Sequence, residues 1–169
     1  MNKMESAVIA TPLGTARITG DSNGIQSVRL AGDHIVSEDI PLLLHPACQQ
    51  LKEYFDGTRK TFDLTLNPQG TEFQQKVWKE LSRIPYGKTV SYLQMARRLG
   101  DPNAVRAVAA ANAKNPLWIL LPCHRVIGSD GDLRGYAGGI DRKKWLLNHE
   151  SPHRQTTLFN TEPTTWSVP

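Results

Sequence analysis

Residues 91–113 read SYLQMARRLGDPNAVRAVAAANA, and this stretch decides how the second half of the chain folds. Its apolar spacing predicts two short helices, residues 91–99 and residues 101–113, with a glycine at the turn between them. Asp101 is predicted to cap the second helix, with Pro102 as its first helical residue. Two short helices joined by a tight turn in a basic region are typical of a helix-turn-helix.

The second of these helices is predicted to present mainly methyl groups to its surroundings. With roughly 100° per residue, the face that packs inward carries Val105, Val108, Ala109 and Asn112. The outward or flanking side chains are those of Arg106, Ala107, Ala110, Ala113 and Lys114. A helix that distinguishes base pairs in the major groove needs Arg, Asn, Gln or Ser on its outer face. The pattern therefore predicts DNA binding with slight sequence preference.

The sequence before residue 68 predicts an α/β unit. Residues 6–10, 15–19 and 25–30 alternate apolar and polar side chains between turn signals, which predicts an antiparallel meander. A further strand is predicted at residues 61–66. Between the meander and this strand lies a helix that ends at Gly57. Its apolar stripe consists of Leu44, Cys48, Leu51 and Phe55.

The linker Asn-Pro-Gln-Gly at residues 67–70 separates this unit from a second one. Thr71 is predicted to cap a strong amphipathic helix there. The stripe of that helix consists of Phe73, Val77, Leu81 and Ile84. Residues 117–121 are an apolar run predicted to be buried and extended, and residues 141–150 are predicted to form a closing helix.

The predicted fold class is thus an α/β N-terminal domain, an antiparallel sheet plus a helix, followed by a mainly helical C-terminal domain with a helix-turn-helix. The N-terminal domain is assigned residues 1–68 and the C-terminal domain residues 70–153. Residues 154–169 are polar and have no hydrophobic period, which predicts a mobile tail.

The positive charge of the chain is concentrated in its second half. The net charge is +4, but residues 1–70 carry 6 Lys and Arg against 8 Asp and Glu, whereas residues 71–150 carry 13 against 7. A polyanion would bind to this second segment. A solvated basic surface without such a partner explains the charge equally well.

The hydrophobic pattern and the number of cysteines exclude further classes of protein. No apolar run approaches the ~18 residues that span a bilayer, and the first residues lack the apolar core of a signal peptide, so we expect an intracellular protein. The two cysteines, Cys48 and Cys123, have no C-x-x-C spacing. This predicts neither a disulfide framework nor a cysteine-based metal site.

Residues 121–128, LPCHRVIG, carry the strongest chemical signal. Cys123 follows a buried apolar run and a proline and precedes two potentially cationic residues. Positive neighbours lower the pKa of a thiol, and the thiolate is the nucleophilic form. Cys48 lies on the apolar stripe of its helix, which favours an inert, buried role for it. Such a role is the alternative for Cys123 too.

A base for this thiol is predicted next to it in the chain. Neighbouring residues of an extended chain point to opposite sides, so His124 would act on Cys123 through a bridging water. A third group is needed to orient the imidazole. Glu150, at the end of the closing helix, is the acidic candidate, and it would complete a relay of cysteine, water, histidine and glutamate.

The same residues resemble a known family. The sequence PCHRVIG at residues 122–128, with Asn115-Pro116 before it and GYAGG at residues 135–139 after it, is similar to the active-site signature of the O6-alkylguanine-DNA alkyltransferases, or methylated-DNA-protein-cysteine methyltransferases. The agreement extends from Phe73 to Glu150 and includes KWLLNHE at the end of that segment. The first 70 residues resemble the family's variable α/β domain more loosely.

The resemblance implies a role for each matching residue. Cys123 would accept the alkyl group, His124 with a water would deprotonate it, Glu150 would hold His124, and Asn115 would brace the site. Tyr92 would donate a hydrogen bond to the leaving guanine. Arg106 would fill the gap left by the rotated nucleotide. The remaining residues implied in DNA contact are Ala107, Ala110 and Lys114, and those implied in base recognition are Val126, Tyr136, Ala137 and Gly138, together with the Cys123 carbonyl.

The implied activity is direct-reversal repair of O6-alkylguanine, and of O4-alkylthymine, by irreversible transfer to the protein's own cysteine. The implied partner is double-stranded DNA, bound largely without sequence preference by a monomer in the cytoplasm. No cofactor or metal is expected. Two alternatives remain, a non-catalytic homologue that binds damaged DNA and a helix-turn-helix regulator with an inert cysteine. Retention of Cys123 argues against the first, and the methyl-rich helix face argues against the second.

Overall fold

A computed structural model describes residues 2–133, 135–136 and 138–152, which form two compact units. The first contains residues 2–71 together with Pro116–Leu120, and the second contains the rest. The predicted tail at residues 154–169 lies outside the described residues. No helix in the described ranges is long and apolar enough to cross a membrane.

The first unit is built on the predicted meander. Strands β1 (Glu5–Thr11), β2 (Gly14–Asp21) and β3 (Gly24–Gly32) form an antiparallel sheet in the order β1-β2-β3. Ala16, Ile18 and Val28 are buried, and their neighbours along the strands are more exposed, as strict alternation requires. The expected N-terminal antiparallel sheet is confirmed.

Helix α1 (His45–Asp56) completes this unit, and its C-terminal residue precedes Gly57. Gly57 has φ of 83°, the left-handed conformation that glycine adopts at a helix end. The buried stripe differs from the prediction at its last position, because Tyr54 is fully buried whereas Phe55 is partly exposed. Cys48 is buried on the same stripe, and burial raises the pKa of its thiol to about 11.

The predicted strand at residues 61–66 is wrong. This segment makes a single parallel bridge, from Leu66 to Ile25. The amide of Ile25 donates to Thr65 O at 2.9 Å, and the amide of Asn67 donates to Ile25 O at 2.8 Å. The alternation was present in the sequence, but one residue of pairing is too little to make a strand.

The apolar run near residue 117 is buried, and its first residues extend the sheet of the first unit. The amide of Val28 donates to Pro116 O at 2.9 Å, and the amide of Trp118 donates to Val28 O at 3.0 Å. The run bends at Ile119, whose φ of 73° is unusual for a β-branched residue. The C-terminal domain was predicted to be continuous over residues 70–153, whereas Pro116–Leu120 belong to the first unit.

The second unit is mainly helical, as its spacing predicted. It contains α2 (Glu72–Leu81), β4 (Val90–Ser91), α3 (Tyr92–Arg98), α4 (Val105–Ala113), β5 (Val126–Ile127) and α5 (Ile140–Glu150). Val77 and Leu81 of α2 are buried and Trp78 donates to Ala111 O at 2.9 Å, so that α2 packs on α4. Phe73 was predicted to lie on the buried stripe, but 37% of it is exposed.

The start of the second helix of the pair was predicted three residues too early, at Pro102 instead of Val105. Asp101 accepts a hydrogen bond from the amide of Asn103 at 2.9 Å, and its carbonyl accepts one from the amide of Ala104 at 3.0 Å. These bonds close a turn, so α4 begins at Val105, and Asp101 does not cap it. The preceding helix α3 begins with a capping box, in which Ser91 and Gln94 exchange hydrogen bonds.

Candidate active site

The segment with Cys123 is held by a two-residue parallel ladder. Val126 and Ile127 of β5 pair with Val90 and Ser91 of β4. Because Ser91 is also the N-cap of α3, this ladder brings the start of that helix to the same part of the second unit as the segment after Cys123. The sequence did not predict this ladder, since two-residue strands leave no periodic signal.

Cys123 opens a 3-10 turn, Cys123–Arg125, and is buried. The prediction treated Cys123 and His124 as extended neighbours, and this premise is wrong. The thiol Sγ lies 3.8 Å from the hydroxyl of Tyr136, to which it donates a weak hydrogen bond. A tight turn instead of a strand holds both residues within the core of the unit.

The pKa of the Cys123 thiol is raised. Burial is the main cause, and it is opposed by hydrogen bonds with Asn115 and Tyr136 and by the charge of Lys143. The expectation that His124 and Arg125 favour the thiolate is wrong, because burial outweighs the effect of nearby charge and the guanidinium of Arg125 is bound to Glu150. A thiol with a raised pKa needs a base to become a nucleophile.

His124 is the candidate base, and it is fully buried. Its Nε2 lies 2.7 Å from Oε2 of Glu150. Burial alone would raise the pKa of Glu150, but His124 and Arg125 outweigh this effect and hold it far below its usual range. The carboxylate is therefore charged and can only accept, so Nε2 of His124 carries a proton.

The other ring nitrogen of His124 is an available base. If Nε2 is protonated and the ring is neutral, Nδ1 has a free lone pair. Nδ1 is buried and has no hydrogen-bond partner among the described residues. Burial lowers the pKa of His124, aided by the charges of Arg125 and Lys143 and opposed by Glu150, so the ring is neutral near pH 7.

Arg125 also binds the carboxylate of Glu150, a role that the sequence did not reveal. Its Nε donates to Oε1 of Glu150 at 2.7 Å, and its Nη2 donates to Oε2 at 3.0 Å. Its Nη1 donates to Ile84 O at 2.6 Å. A two-point contact of this kind fixes both the position and the plane of a carboxylate. Glu150 thus binds the imidazole and the guanidinium together.

Lys143 is the second residue that sequence reasoning missed. It is fully buried, and its Nζ donates to Val126 O at 2.7 Å and to Leu133 O at 2.5 Å. Burial lowers its pKa to about 8, although Cys123 and Asp132 act in the opposite direction. A signal existed in the helical spacing, because residues three, four and seven positions beyond Lys143 on α5 are also buried.

The aromatic residues predicted for the site lie around this lysine. Its Nζ is 5.9 Å from the ring centre of Tyr92 and 5.8 Å from that of Tyr136. Tyr92 is the first residue of α3, which the ladder between β4 and β5 brings here. Both tyrosines thus lie near one ammonium group, a contact that favours the charged form of a lysine.

The remaining predicted residues divide between the site and the surface. Asn115 donates to Leu121 O at 2.8 Å in addition to its bond with Cys123, so that it braces the turn. Gly138 accepts a hydrogen bond from Arg142 at 2.8 Å. Ala137 lies outside the described residues. The residues that are exposed on α4 or directly after it are Arg106, Ala107, Ala110, Ala113 and Lys114.

The exposed face of α4 agrees with the predicted division of the helix. Val108 and Asn112 are buried, and Ala111, which the prediction did not assign, is buried as well. Three of the five exposed side chains are those of alanine. In the described residues there is no group of three or more His, Cys, Asp or Glu that could hold a metal ion.

Comparison with known proteins links this geometry to one family. A family model described as 6-O-methylguanine DNA methyltransferase, DNA binding domain, matches residues 72–152. The methylated-DNA–protein-cysteine methyltransferase of Methanosarcina barkeri is 42% identical over 152 residues, which cover 85% of this chain and 94% of that protein. The constitutive protein of the same name from Bacillus subtilis is 46% identical over 151 residues, which cover 83% and 91%.

The chain is also similar to a solved structure of this family. The crystal structure of Mycobacterium tuberculosis OGT in complex with DNA is similar to this chain with a TM-score of 0.77 and 42% sequence identity. The similarity covers 90% of this chain and 98% of that one. It therefore includes both compact units.

Proposed function

The chain belongs to the methylated-DNA–protein-cysteine methyltransferase family, and from this premise we propose that it repairs alkylated DNA directly. It takes the alkyl group of O6-alkylguanine, or of O4-alkylthymine, onto Sγ of Cys123, once per molecule. The observation that carries the proposal is the buried hydrogen bond between His124 and Glu150, which leaves Nδ1 as a base one residue from the cysteine.

The transfer is a displacement at a saturated carbon. His124 Nδ1 takes the thiol proton of Cys123 through a bridging water. As the bond between Sγ and the alkyl carbon forms, the bond from that carbon to O6 breaks, and its electron pair stays on the guanine. Tyr92 donates a hydrogen bond to the leaving base. The product is a thioether, which water does not cleave, so the protein is consumed in one event.

Backbone carbonyl groups recognise the extruded base. The oxygens of Cys123 and Val126 accept hydrogen bonds from the base, and Tyr136 and Gly138 lie on its other side. Val126 O already accepts from Lys143, but a carbonyl oxygen has two lone pairs and can accept a second donor. Asn115 keeps the nucleophile in place through Leu121 O.

Helices α3 and α4 act as a helix-turn-helix in which the exposed face of α4 contacts DNA. Ala107 and Ala110 permit close approach of the backbone, Lys114 pairs with a phosphate, and Tyr92 lies beside the extruded nucleotide. Arg106 fills the gap in the base stack. The partner is double-stranded DNA, bound by a monomer, and the protein would work where chromosomal DNA lies, in the cytoplasm or on the nucleoid of a bacterium.

The proposal is tested by mass spectrometry of the intact protein after incubation with duplex DNA that contains one O6-methylguanine. We expect the mass to rise by one methyl group and no further when the DNA is in excess, with the added group on a peptide that contains Cys123. Undamaged duplex of the same sequence is the control. An unchanged mass after long incubation would exclude transfer.

Replacement of Arg106 by alanine is expected to slow transfer from duplex DNA by about tenfold or more, because the unstacking cost of a few kcal/mol is no longer offset. The free base O6-benzylguanine needs no extrusion and should react at the wild-type rate. Lys114→Ala is the matched control, since it removes an exposed cation next to the same helix and should weaken affinity without slowing the bound complex. Equal losses with both substrates would place Arg106 in the pocket instead.

Affinity for undamaged DNA is expected to fall with salt and to depend little on sequence. Arg125 and Lys143 are buried and cannot reach phosphates, but Lys88, Arg97, Arg106 and Lys114 are exposed. Four phosphate contacts would reduce affinity by about a hundredfold between roughly 50 and 200 mM salt. Titration of several unmodified duplexes at both salt concentrations tests this. A preference of about a thousandfold for one sequence would favour a regulator.

A further inference from the structure

The hydroxyl group of Tyr136 lies beside the sulfur of the acceptor cysteine. Its oxygen is 3.8 Å from Sγ of Cys123, and the thiol donates a weak hydrogen bond to it. Cys123 is 7% exposed, whereas Tyr136 is only partly buried. The tyrosine thus reaches from a partly exposed position to a buried sulfur. A phenylalanine would offer an extruded base the same ring, so the hydroxyl needs an explanation of its own.

The backbone and the ring of Tyr136 are both held in place. Its carbonyl oxygen accepts a hydrogen bond at 2.9 Å from the amide of Gly139, the residue before α5. Gly138 O accepts from Arg142 on α5 at 2.8 Å. The ring centre is 5.8 Å from Nζ of Lys143, which is fully buried. The hydroxyl is therefore carried by a residue that helix α5 fixes next to the sulfur.

We propose that Tyr136 is a catalytic residue whose hydroxyl donates a hydrogen bond to the thiolate of Cys123 and so stabilises the nucleophile. The inference rests on the proposed function, in which Cys123 loses its proton to His124. A phenolic hydroxyl can accept from the thiol and can then turn its own proton toward the sulfur. The thiol proton passes through the water to His124, the electron pair stays on Sγ, and Tyr136 keeps its proton.

The thiolate needs such a donor because its surroundings oppose a negative charge. Burial is the main cause of the raised pKa of Cys123. Hydrogen bonds with Asn115 and Tyr136 act against burial, and so does the charge of Lys143. A hydrogen bond to the charged form of a group favours that form. Removal of the Tyr136 hydroxyl should therefore lower the fraction of Cys123 that is ionised.

Tyr136→Phe removes this hydroxyl and keeps the ring. A hydrogen bond to a charged group is strong enough to change the ionised fraction of a thiol by about tenfold. A thiolate that loses a stabilising hydrogen bond also becomes a better nucleophile, by about threefold for a tenfold change in acidity. The two effects oppose each other. We therefore expect Cys123 to react about threefold more slowly near pH 7 in this variant.

The experiment measures alkylation of Cys123 by iodoacetamide, which needs neither DNA nor a guanine. Mass spectrometry of the peptides gives separate rates for Cys123 and for Cys48, which is buried in the first unit and reacts quickly only if the protein unfolds. Removal of the hydroxyl opens space beside the sulfur, so a purely steric effect would make Tyr136→Phe react faster. Slower alkylation of Cys123 at an unchanged Cys48 rate is the expected result.

Tyr92→Phe is the matched control. The ring centre of Tyr92 is 5.9 Å from Nζ of Lys143, almost the same distance as that of Tyr136. Among the described residues whose contacts shift the pKa of Cys123, however, Tyr92 does not appear. Tyr92→Phe should slow transfer from O6-benzylguanine, because it acts on the leaving base, and leave alkylation by iodoacetamide unchanged. Tyr136→Phe should slow both reactions by a similar factor.

The pH dependence of alkylation is a second measurement of the same contact. The rate rises with pH as Cys123 ionises, and in Tyr136→Phe the profile should move to higher pH by about one unit. The other titratable groups close to the sulfur are His124 in the same turn and Lys143 on α5, whose pKa is lowered to about 8. Both are present in the wild type and in the variant, so the difference between the two profiles reports the hydroxyl.

The outcomes separate the two proposals. Slower alkylation of Cys123 in Tyr136→Phe, with a displaced pH profile, supports the contact with the thiolate. An unchanged or faster rate overturns it, and so does an equal loss in Tyr92→Phe. If the wild-type protein transfers no alkyl group but Tyr136→Phe still slows alkylation by iodoacetamide, the proposed function fails and only the contact between Tyr136 and the thiolate remains.

Discussion

Replacement of Cys123 by serine is expected to reduce alkyl transfer by a factor on the order of 10⁴ or more, while affinity for duplex DNA stays within about twofold. A hydroxyl is similar in size to a thiol but far less nucleophilic, and a neutral imidazole is too weak a base to ionise it. Mass spectrometry after incubation with O6-methylguanine DNA, together with a binding titration, measures both quantities.

Cys48→Ser is the control for this variant. Cys48 lies on α1 in the first unit, and the pKa of its thiol is raised to about 11, so it is almost entirely protonated near pH 7. This variant should transfer at the wild-type rate. If Cys48→Ser lost transfer and Cys123→Ser retained it, the acceptor would be wrongly assigned.

Replacement of Arg125 by methionine is expected to destabilise the protein by about 3–5 kcal/mol, because it leaves the Glu150 carboxylate buried without its main cation. The side chains of Arg125 and Glu150 are 7% and 1% exposed, so water cannot replace the lost partner. The free energy of unfolding from urea titration measures the effect. Transfer should also slow in the molecules that remain folded, because Glu150 no longer orients His124.

The chain offers a matched control for this ion pair. Arg59 and Glu53 are joined at 2.8 Å, close to the 2.7 Å of Arg125 and Glu150, but both side chains are about a third exposed. Arg59→Met should therefore change stability far less, as is usual for ion pairs in contact with water. Equal costs at the two positions would mean that burial does not decide the energy of the pair.

A double variant and the pH dependence refine this prediction. Glu150→Gln combined with Arg125→Met should lower the free energy of unfolding by less than the sum of the two single changes, since no unpaired charge remains.

The pKa of Glu150 is lowered in the folded protein, so its ionisation stabilises the fold above the usual pKa of glutamate. That contribution is lost as the pH falls below about 4, where wild type and Arg125→Met should become more alike.

The sequence correctly predicted those secondary-structure elements that depend on interactions between residues close together in the chain. Alternation gave the meander of β1 to β3, and the glycine at position 57 gave the end of α1. The start of α4 was missed because Asp101 has two uses for its side chain, a helix cap and a turn, and the sequence does not distinguish them. The segment at residues 61–66 was wrongly predicted to be a strand, because a strand needs pairing with a distant part of the chain and only Leu66 makes such a bridge.

The candidate site likewise contains residues that the sequence identified and residues whose role depends on distant partners. Cys123 and His124 stand next to each other in the sequence, and Glu150 was the acidic candidate because it lies at the end of the predicted closing helix. The sequence did not reveal that Arg125 and Lys143 are buried, since burial of a charge depends on partners that lie far away in the sequence. Arg125 binds a carboxylate 25 residues away, and Lys143 donates to a carbonyl 17 residues away. Only the assembled fold reveals these partners.

The attachment of His124 to Glu150 has a consequence for synthesis on the ribosome. The carboxylate is 26 residues later in the chain than the imidazole that it orients. At translation rates of about 5–20 residues per second, the ribosome adds Glu150 roughly one to five seconds after His124. A nascent chain that already contains the acceptor cysteine therefore still lacks the anion that sets the histidine tautomer. Cys123 is therefore synthesised before Glu150 can orient His124 as its base. Alkyl transfer is thus confined to molecules in which Glu150 has been added and the chain has folded.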